Sequence, residues 1–222
     1  MILEQGYLHS LESLANHINQ PQFPEALQRF LYDQIHSNSN ISSADIDIEQ
    51  CPNFTSRIYV YHSAITHFFA PSDLCGTSGM YCEHIRSNPN WCGKYAHHNT
   101  MFILTGSEMD VMQGMTIGHA LLFFSFMFRD EYFPCALIHW LIPDNVPDDD
   151  IGMWVVQPEF AGNRCHTLSV IHLDSVARAA HLLPVYSSSF VPEDFDFSDS
   201  LDSFCAYFIN NCIDHHSHKF LS

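Results

Sequence analysis

The sequence predicts an α+β protein in which a small, antiparallel, partly open β-barrel lies between helical ends. Three observations predict this class. Apolar residues have helical spacing before residue 36, alternate as in strands from residue 56, and regain helical spacing near the C-terminus. The strand candidates are short and separated by turn-rich connections, which is typical of small barrels. Of the 222 residues, 46% are hydrophobic, so the chain can bury a sizeable core.

The segment 1–36 is predicted to be a helical lead segment of two short helices. Ser10 favours the N-cap position before the first helix. Its apolar face is Leu11, Leu14, Ala15 and Ile18. Pro24 favours the first turn of the second helix. The apolar face of that helix is Leu27, Phe30, Leu31 and Ile35. Residues 37–55 are predicted to be a polar linker, because the stretch 36–45 has the composition of a loop.

Residues 56–190 are predicted to form the barrel-like core from five to seven strands. The strand candidates are 57–61, 101–104, 117–128, 132–142, 153–156, 168–173 and 181–186. The clearest pair is a hairpin joined at Arg129-Asp130-Glu131. Pro134 places its second strand near a sheet edge or at a bulge. Turns are expected at 71–73 and 76–79, with a short helical turn before Trp91.

The segment 191–222 is predicted to be a C-terminal amphipathic helix that packs on the core. Asp199 and Asp202 would lie at its start, where the helix dipole favours negative charge. Its apolar face would be Leu201, Phe204, Cys205, Phe208, Ile209, Cys212 and Ile213.

Charge and apolar content exclude several classes of protein. Eight Lys and Arg residues face 25 Asp and Glu, a formal net charge of −17, so direct binding of DNA or RNA is not expected. The apolar stretch His119–Phe128 is about half the ~20 residues that span a bilayer, so no membrane segment is predicted. The N-terminus lacks the features of a signal peptide. An intracellular protein is therefore expected.

Eight cysteines could form four disulfides. Reduced thiols are expected instead, because no secretion signal is evident. Cys135, Cys205 and Cys212 lie in apolar patterns, where a free cysteine behaves as a small hydrophobe.

Two groups of residues could be considered as metal ligands. Cys75, Cys82 and Cys92 with His97 and His98 lie within 24 residues, but their spacing lacks the paired knuckles of structural zinc sites. In the run Asp214-His215-His216-Ser217-His218, His215 and His218 would share a helix face, as would Asp214 and His218. A polar helix end, where histidine also suits the helix dipole, is the favoured explanation of this run. No metal ligand, cofactor or catalytic residue is therefore assigned.

The acidic loop 144–150 also suggests a cation site. It fails the test for a calcium-binding EF-hand, because the sixth position is not glycine and the twelfth is Val155. A solvated turn between two strands is expected there. The aromatic residues Phe123, Phe124, Phe126, Phe128, Trp140 and Trp154 are expected to fill sheet faces, since a base-stacking platform would need a basic groove.

Several strings, in order along nearly the whole chain, together resemble the C-terminal region of fungal Plavaka-type transposase reading frames, which belong with CACTA-like DDE elements. The strings are LESLANHINQP (11–21), RFLYDQ (29–34), APSDLCG (70–76), MYCEHIRSNPNW (80–91), ALLFFSF (120–126), YFPCALIHW (132–140), DDDIGMWVVQPEF (148–160), SVIHLDSVARAAHLLPVY (169–186) and SLDSFCAYFINNCIDHHSHKF (200–220). The resemblance implies an SH3- or BAH-like β-rich module downstream of an RNase H-like catalytic core. It carries no catalytic carboxylate onto this chain and implies a nuclear location.

The chain opens at Met1 well inside the family pattern, so the resemblance implies either a truncated gene model or a broken copy, and the hypothesis is a degenerating copy of the element. The residues Cys82, His119 and Cys205 stand where the family pattern implies arginine, and the chain has 16 His, 8 Cys and only 6 Arg. The expected role is a non-catalytic assembly or interaction module. Its partners would be other transposase domains, other proteins or a second copy. The alternatives are a free-standing interaction domain derived from the element, and a metal-dependent enzyme using His215, His218 and a carboxylate.

Overall fold

The computed structural model describes residues 7, 9–37, 41–70, 78–106, 111–162, 165–186, 195–196 and 200–221. Two helices open this part of the chain. Helix α1 (Leu11–His17) has Ser10 as its N-cap, whose side chain accepts a hydrogen bond from the Ser13 amide. Helix α2 (Phe23–Ile35) carries Pro24 in its first turn. Both predicted helices are confirmed.

A long hairpin organises the main sheet. Strand β6 (Met115–Phe128) pairs antiparallel with β7 (Glu131–Pro143) along nearly its whole length. Arg129 and Asp130 form the two-residue turn, with φ angles of +51° and +63°. This left-handed turn matches the twist of the flanking strands, which is why such turns favour hairpins. The predicted hairpin is confirmed.

Three further strands curl this hairpin into a nearly closed, barrel-like sheet. Strand β5 (Thr100–Leu104) pairs with β6, and β9 (Leu168–His172) pairs with β7. Strand β10 (Val176–Ala180) pairs with β5. A 3-10 turn (Leu173–Ser175) joins β9 directly to β10, so the two ends of the five-strand path are linked through the chain.

Additional strands extend this unit. Strand β1 (Ile58–Tyr61) pairs with residues 123–126 in the C-terminal half of β6. Strands β8 (Val155–Pro158), β12 (Tyr207–Ile209) and β11 (Leu182–Pro184) continue the sheet beyond the end of β7. A second sheet contains β2 (Ser63–Phe69), β3 (Met80–Trp91) and β4 (Tyr95–His98). Two short helices, α3 (Ser200–Ser203) and α4 (His215–Leu221), flank β12.

The central hairpin is buried on both of its faces. Phe124 and Phe126 pack with α1 and α2 on one face, while Phe123 packs with Ile103 and Ile138 on the other. All five side chains are at most 2% exposed. These three phenylalanines are therefore core residues, as predicted.

The coarse fold class, α+β with a barrel-like antiparallel sheet and N-terminal helices, is confirmed, but several elements differ from expectation. The short helical turn expected before Trp91 is instead the twelve-residue strand β3. Its polar residues tolerate a strand because one face is largely exposed, and β2 and β4 supply its backbone partners. The strands β2, β4, β10 and β12 were also absent from the sequence-based prediction.

The single C-terminal helix predicted over residues 191–222 is wrong. Residues 207–209 form β12, which pairs with both β8 and β11. Tyr207 and Ile209 are buried on the same side of this strand, and Phe208 lies between them. Pairing with two strands outweighs a helical pattern, because apolar residues with aromatic or β-branched side chains also suit a buried sheet.

Both alternatives predicted for Pro134, a strand near a sheet edge or a bulge at the strand start, are wrong. Most of β7 has neighbours on both sides, and its register with β6 is continuous around Pro134. Pro134 pairs with Ser125 of β6, whereas β9 begins to pair only at Cys135. The proline therefore precedes the segment of β7 that has two neighbours, where a missing amide donor is tolerated. The turn expected at 71–73 lies outside the described residues.

Candidate functional site

The structure does not bring together the cysteines and histidines of the sequence-based zinc hypothesis. Cys82 lies on β3 and Cys92 follows its end, and both are exposed. Ten residues of extended strand separate two positions by roughly 30 Å, too far for shared metal coordination. Cys75 lies outside the described residues. Among the residues described, no group of three His, Cys, Asp or Glu side chains is placed to hold a metal ion.

The two histidines of that hypothesis have other contacts. His98 lies with its Nδ1 atom 2.9 Å from the Ser87 hydroxyl and 3.1 Å from the Ala120 carbonyl. His97 lies beside the ring of Trp91, with the ring centroids 5.8 Å apart. These contacts fix β4 against β3 and β6.

The seven described cysteines are free thiols. Cys135 is fully buried, as its apolar pattern predicted, and burial raises the pKa of its thiol far above the ordinary range. Cys205 and Cys212 are exposed, so the prediction that they behave as buried hydrophobes is wrong. Their segment is not a helix and does not direct them toward the core.

The acidic loop 144–150 is an exposed turn between β7 and β8, as predicted. The carboxylate of Asp148 accepts hydrogen bonds from the amides of Asp150 and Ile151. The carboxylate of Asp144 accepts one from the Gln157 side chain. The loop thus uses two of its carboxylates for its own conformation.

Part of the C-terminal His run surrounds a buried arginine. Arg178 of β10 is 2% exposed, and its Nη2 donates to Asp214 Oδ2 at 2.7 Å and to Glu83 Oε1 at 2.9 Å. Its Nη1 lies 2.9 Å from His216 Nδ1. The guanidinium also lies 4.5 Å from the centroid of the Phe68 ring. We refer to Arg178, Glu83, Asp214, His216 and Phe68 as the Arg178 network.

In the Arg178 network, hydrogen bonds and opposite charges outweigh the cost of burying the ionised groups of Arg178 and Asp214. Burial opposes ionisation of Asp214, but hydrogen bonds from Arg178 and the Ser217 amide dominate and lower its pKa to about 2. Burial also opposes the charge on Arg178, and the two carboxylates overcome this and raise its pKa. Desolvation and the charge of Arg178 lower the pKa of His216. The network ties β10 to β3 and to the start of α4.

The sequence-based reasoning missed Arg178, although one arginine in the apolar run VARAA was a usable signal. A charged residue in such a strand must be paired when it is buried. His215 and His218 are exposed on α4, whereas Asp214 and His216 contact Arg178. The structure therefore separates the predicted metal-ligand candidates into two groups with different surroundings.

A second feature missed in the sequence is a row of imidazole rings, which we call the histidine row. It contains His98, His119, His139 and His166, with successive ring centroids 5.9, 6.5 and 4.7 Å apart. His119 and His139 lie directly opposite each other on β6 and β7. The predicted hairpin could not show this pairing, because it depends on a register shift between Ala120 and Leu122 of β6. It also could not show the approach of His98 or His166.

The histidine row borders a cavity of about 10 Å³, which is close to the space that one water molecule requires. His119 is 6% exposed, and its Nε2 atom lacks a hydrogen-bond partner among the described residues. Burial, together with the nearby His98 and His166, lowers the pKa of His119 to about 3. The His119 ring is therefore neutral at neutral pH.

A groove of about 600 Å³ lies between α2, β9 and the end of β5, and we call it the β9 groove. All five residues of β9 line it. The apolar side chains of Phe30 and Leu104 line opposite walls, and Asp33 adds a carboxylate. The size suits a ligand or a short peptide segment.

Comparison of the chain with protein-family models, curated proteins and solved structures gave no match. No helix in the part of the chain that the structure describes is both long enough and apolar enough to cross a membrane.

Proposed function

We propose that this chain is a non-catalytic assembly or interaction module of a transposable-element protein, built on an SH3-like barrel and working in the nucleus. The carrying observation is the strand order β10-β5-β6-β7-β9, closed by the 3-10 turn Leu173–Ser175 between β9 and β10. A five-strand path closed through a 3-10 turn is the arrangement of SH3-like barrels. Because a fold alone does not define a function, the partner must be inferred from the binding surfaces of the protein.

The described polar clusters favour a binding role over a catalytic one. In the Arg178 network the guanidinium pairs with Asp214 and Glu83, while its Nε atom lacks a hydrogen-bond partner among the described residues. The histidine row is enclosed and borders space for a single water. The β9 groove, in contrast, is open and large enough for part of a partner.

The alternative of a metal-dependent enzyme gains no support from the described geometry. It would need His215, His218 and a neighbouring carboxylate. Asp214 is the adjacent candidate, and it is already held by Arg178 at 2.7 Å and by the Ser217 amide at 2.6 Å. A carboxylate committed to a buried arginine is a poor metal ligand, because coordination would remove one of the two carboxylates that compensate the charge of Arg178.

The resemblance to transposase reading frames gives the first test. We expect the genomic sequence upstream of the codon for Met1 to encode an RNase H-like region, intact or decayed. That region, repaired if necessary and expressed separately, should bind this chain in size-exclusion chromatography and calorimetry. A matched acidic protein of similar size serves as the control for nonspecific association.

Two outcomes would contradict parts of this proposal. Absence of any upstream catalytic remnant would remove the transposase assignment and leave a free-standing interaction domain. A catalytic region that is present and folded but does not bind would contradict the assembly role.

A further inference from the structure

We propose that the β9 groove binds a basic, extended peptide segment of a partner protein, which pairs with the outer edge of β9 as an additional strand. This inference rests on the proposed function as an interaction module and names its binding surface and the chemistry of its partner.

The hydrogen-bond pattern of the sheet shows which backbone groups of β9 face outward. The Trp140 amide donates to the Thr167 carbonyl just before β9. In an antiparallel pair, successive residues direct their backbone groups alternately toward and away from the partner strand. With Ile138 opposite Ser169 and Ala136 opposite Ile171, those two β9 residues bond to β7. The amides and carbonyls of Leu168 and Val170 therefore point outward.

The outer edge of β9 has no strand beside it in the described part of the chain, where β9 pairs with β7 alone. Unpaired strand edges attract a further strand, because the incoming chain satisfies their donors and acceptors. The 3-10 turn that follows uses one outward group, since the Ser175 hydroxyl donates to the His172 carbonyl at 2.7 Å. Leu168 and Val170 thus provide two donors and two acceptors for an extended segment.

The walls of the groove suit alternate side chains of such a segment. Phe30 of α2 lies on one side, and Ile103 and Leu104 of β5 lie on the other. Leu104 is 52% exposed and gives the peptide an apolar contact at the rim of the groove.

Charge selects a basic partner. Asp33 lines the groove and keeps its negative charge while its carboxylate accepts hydrogen bonds from the Ser43 amide and hydroxyl. The exposed Asp45 and Asp174 follow or precede the lining residues Ala44 and Ser175 in the chain. Arg29 also lines it, but this cation is already bound to Glu25 and to the carbonyls of Ser43 and Ile46. The whole chain carries a formal charge of −17, so a second copy would be repelled and a segment rich in Lys or Arg attracted.

The test uses synthetic peptides as probes and the full chain as the receptor. The parent probe is a fluorescent heptapeptide of alternating Lys and Val. Two further versions carry N-methyl groups on the odd or the even amides, and a fourth replaces every Lys with Glu. We expect the parent to bind and one methylated version to bind about 10-fold more weakly, because it loses donors to the strand edge. The Glu version should bind at least as weakly.

Variants of the chain locate the binding site. Leu104→Lys adds a positive charge at the groove and should weaken binding of the parent peptide about 10-fold. Met127→Lys is the matched control, since Met127 is 46% exposed and lies outside the groove. In NMR spectra the amides of Leu168 and Val170 should become protected from hydrogen exchange when the peptide binds.

Three results would overturn the inference: no binding of the parent peptide, equal binding of both methylated versions, or equal weakening by the two lysine variants. Failure of the proposed function is measured separately, by the interaction with the RNase H-like region. If that region binds while the peptides do not, the groove inference falls and the interaction role stands.

Discussion

Arg178 Nη2 donates to Asp214 Oδ2 over 2.7 Å, and this contact joins a barrel strand to the start of the C-terminal helix. Glu83 on β3 shares the same guanidinium nitrogen at 2.9 Å. The two partners are far apart in sequence and converge only in the folded chain. Because Arg178 is almost fully buried, loss of this contact should destabilise the fold more than loss of an exposed ion pair.

Replacement of Arg178 should destabilise the fold. Arg178→Met removes the charge that compensates Glu83 and Asp214, and we expect the free energy of unfolding to fall by about 2–4 kcal/mol. Urea denaturation followed by circular dichroism measures the change. Arg57→Met is the control, because Arg57 is exposed and its loss should cost less than about 1 kcal/mol. A loss no greater than that of the control would contradict a stabilising role of the network.

The histidine row should make stability depend on pH. The pKa of His119 is lowered from 6.5 to about 3. Between pH 6.5 and pH 3 this ring therefore binds a proton in the unfolded chain but not in the folded chain. The stability contributed by the neutral ring is therefore present above pH 6.5 and is lost as the pH falls toward 3. The loss is at most about 1.4 kcal/mol per pH unit.

Substitution of His119 isolates this effect. His119→Leu should reduce the slope of unfolding free energy against pH between 6.5 and 3, measured by urea titrations at several pH values. His215→Leu, which removes an exposed histidine, is the control. An unchanged slope in His119→Leu would show that the ring titrates normally in the folded protein.

The space around Gly118 is too small for a side chain. A Cβ atom built there would lie 2.4 Å from Ile103 Cδ1 and 3.0 Å from Ile138 Cδ1. Gly118→Ala should cost about 1–3 kcal/mol through overpacking. Ile103→Val removes the closest methyl group, so the double variant should be more stable than the sum of the single changes predicts. Gly162→Ala is the control because nothing lies within 4 Å of its Cβ position.

The β6–β7 turn can be improved. Arg129 and Asp130 both have positive φ angles, which asparagine and glycine adopt more readily. The pair Arg129→Asn with Asp130→Gly should raise the unfolding free energy by about 1 kcal/mol. Glu131→Gly, one residue further and inside β7, should instead lower it. Thermal denaturation of the parent and the two variants measures both changes in stability. A turn variant that is less stable than the parent would contradict the left-handed turn at Arg129 and Asp130.

Much of the fold was predictable where local pattern and tertiary environment agree. Ser10 and Pro24 mark helix starts that the structure confirms, and the turn at Arg129-Asp130 joins two strands whose apolar runs are long. The β3 strand was not predictable in the same way, because its residues are polar and only pairing with β2 and β4 makes it a strand.

The candidate sites were less predictable than the fold. The His run at 214–218 was visible in the sequence, but its separation into residues that contact Arg178 and residues that are exposed was not. Asp214 and His216 contact Arg178, which lies 36 residues before Asp214 in the chain. The β9 groove could not be foreseen, because it is formed by three elements that only the closed sheet brings together.

The sequence by itself determined the helical start, the central hairpin and the acidic surface, because each depends on residues that are neighbours along the chain. The tertiary structure alone decided that residues 207–209 form a strand, that Arg178 is buried with two carboxylates, and that four imidazole rings lie in a row. Each of these depends on partners distant in sequence. Their free energy comes from burial and pairing, which no local pattern records.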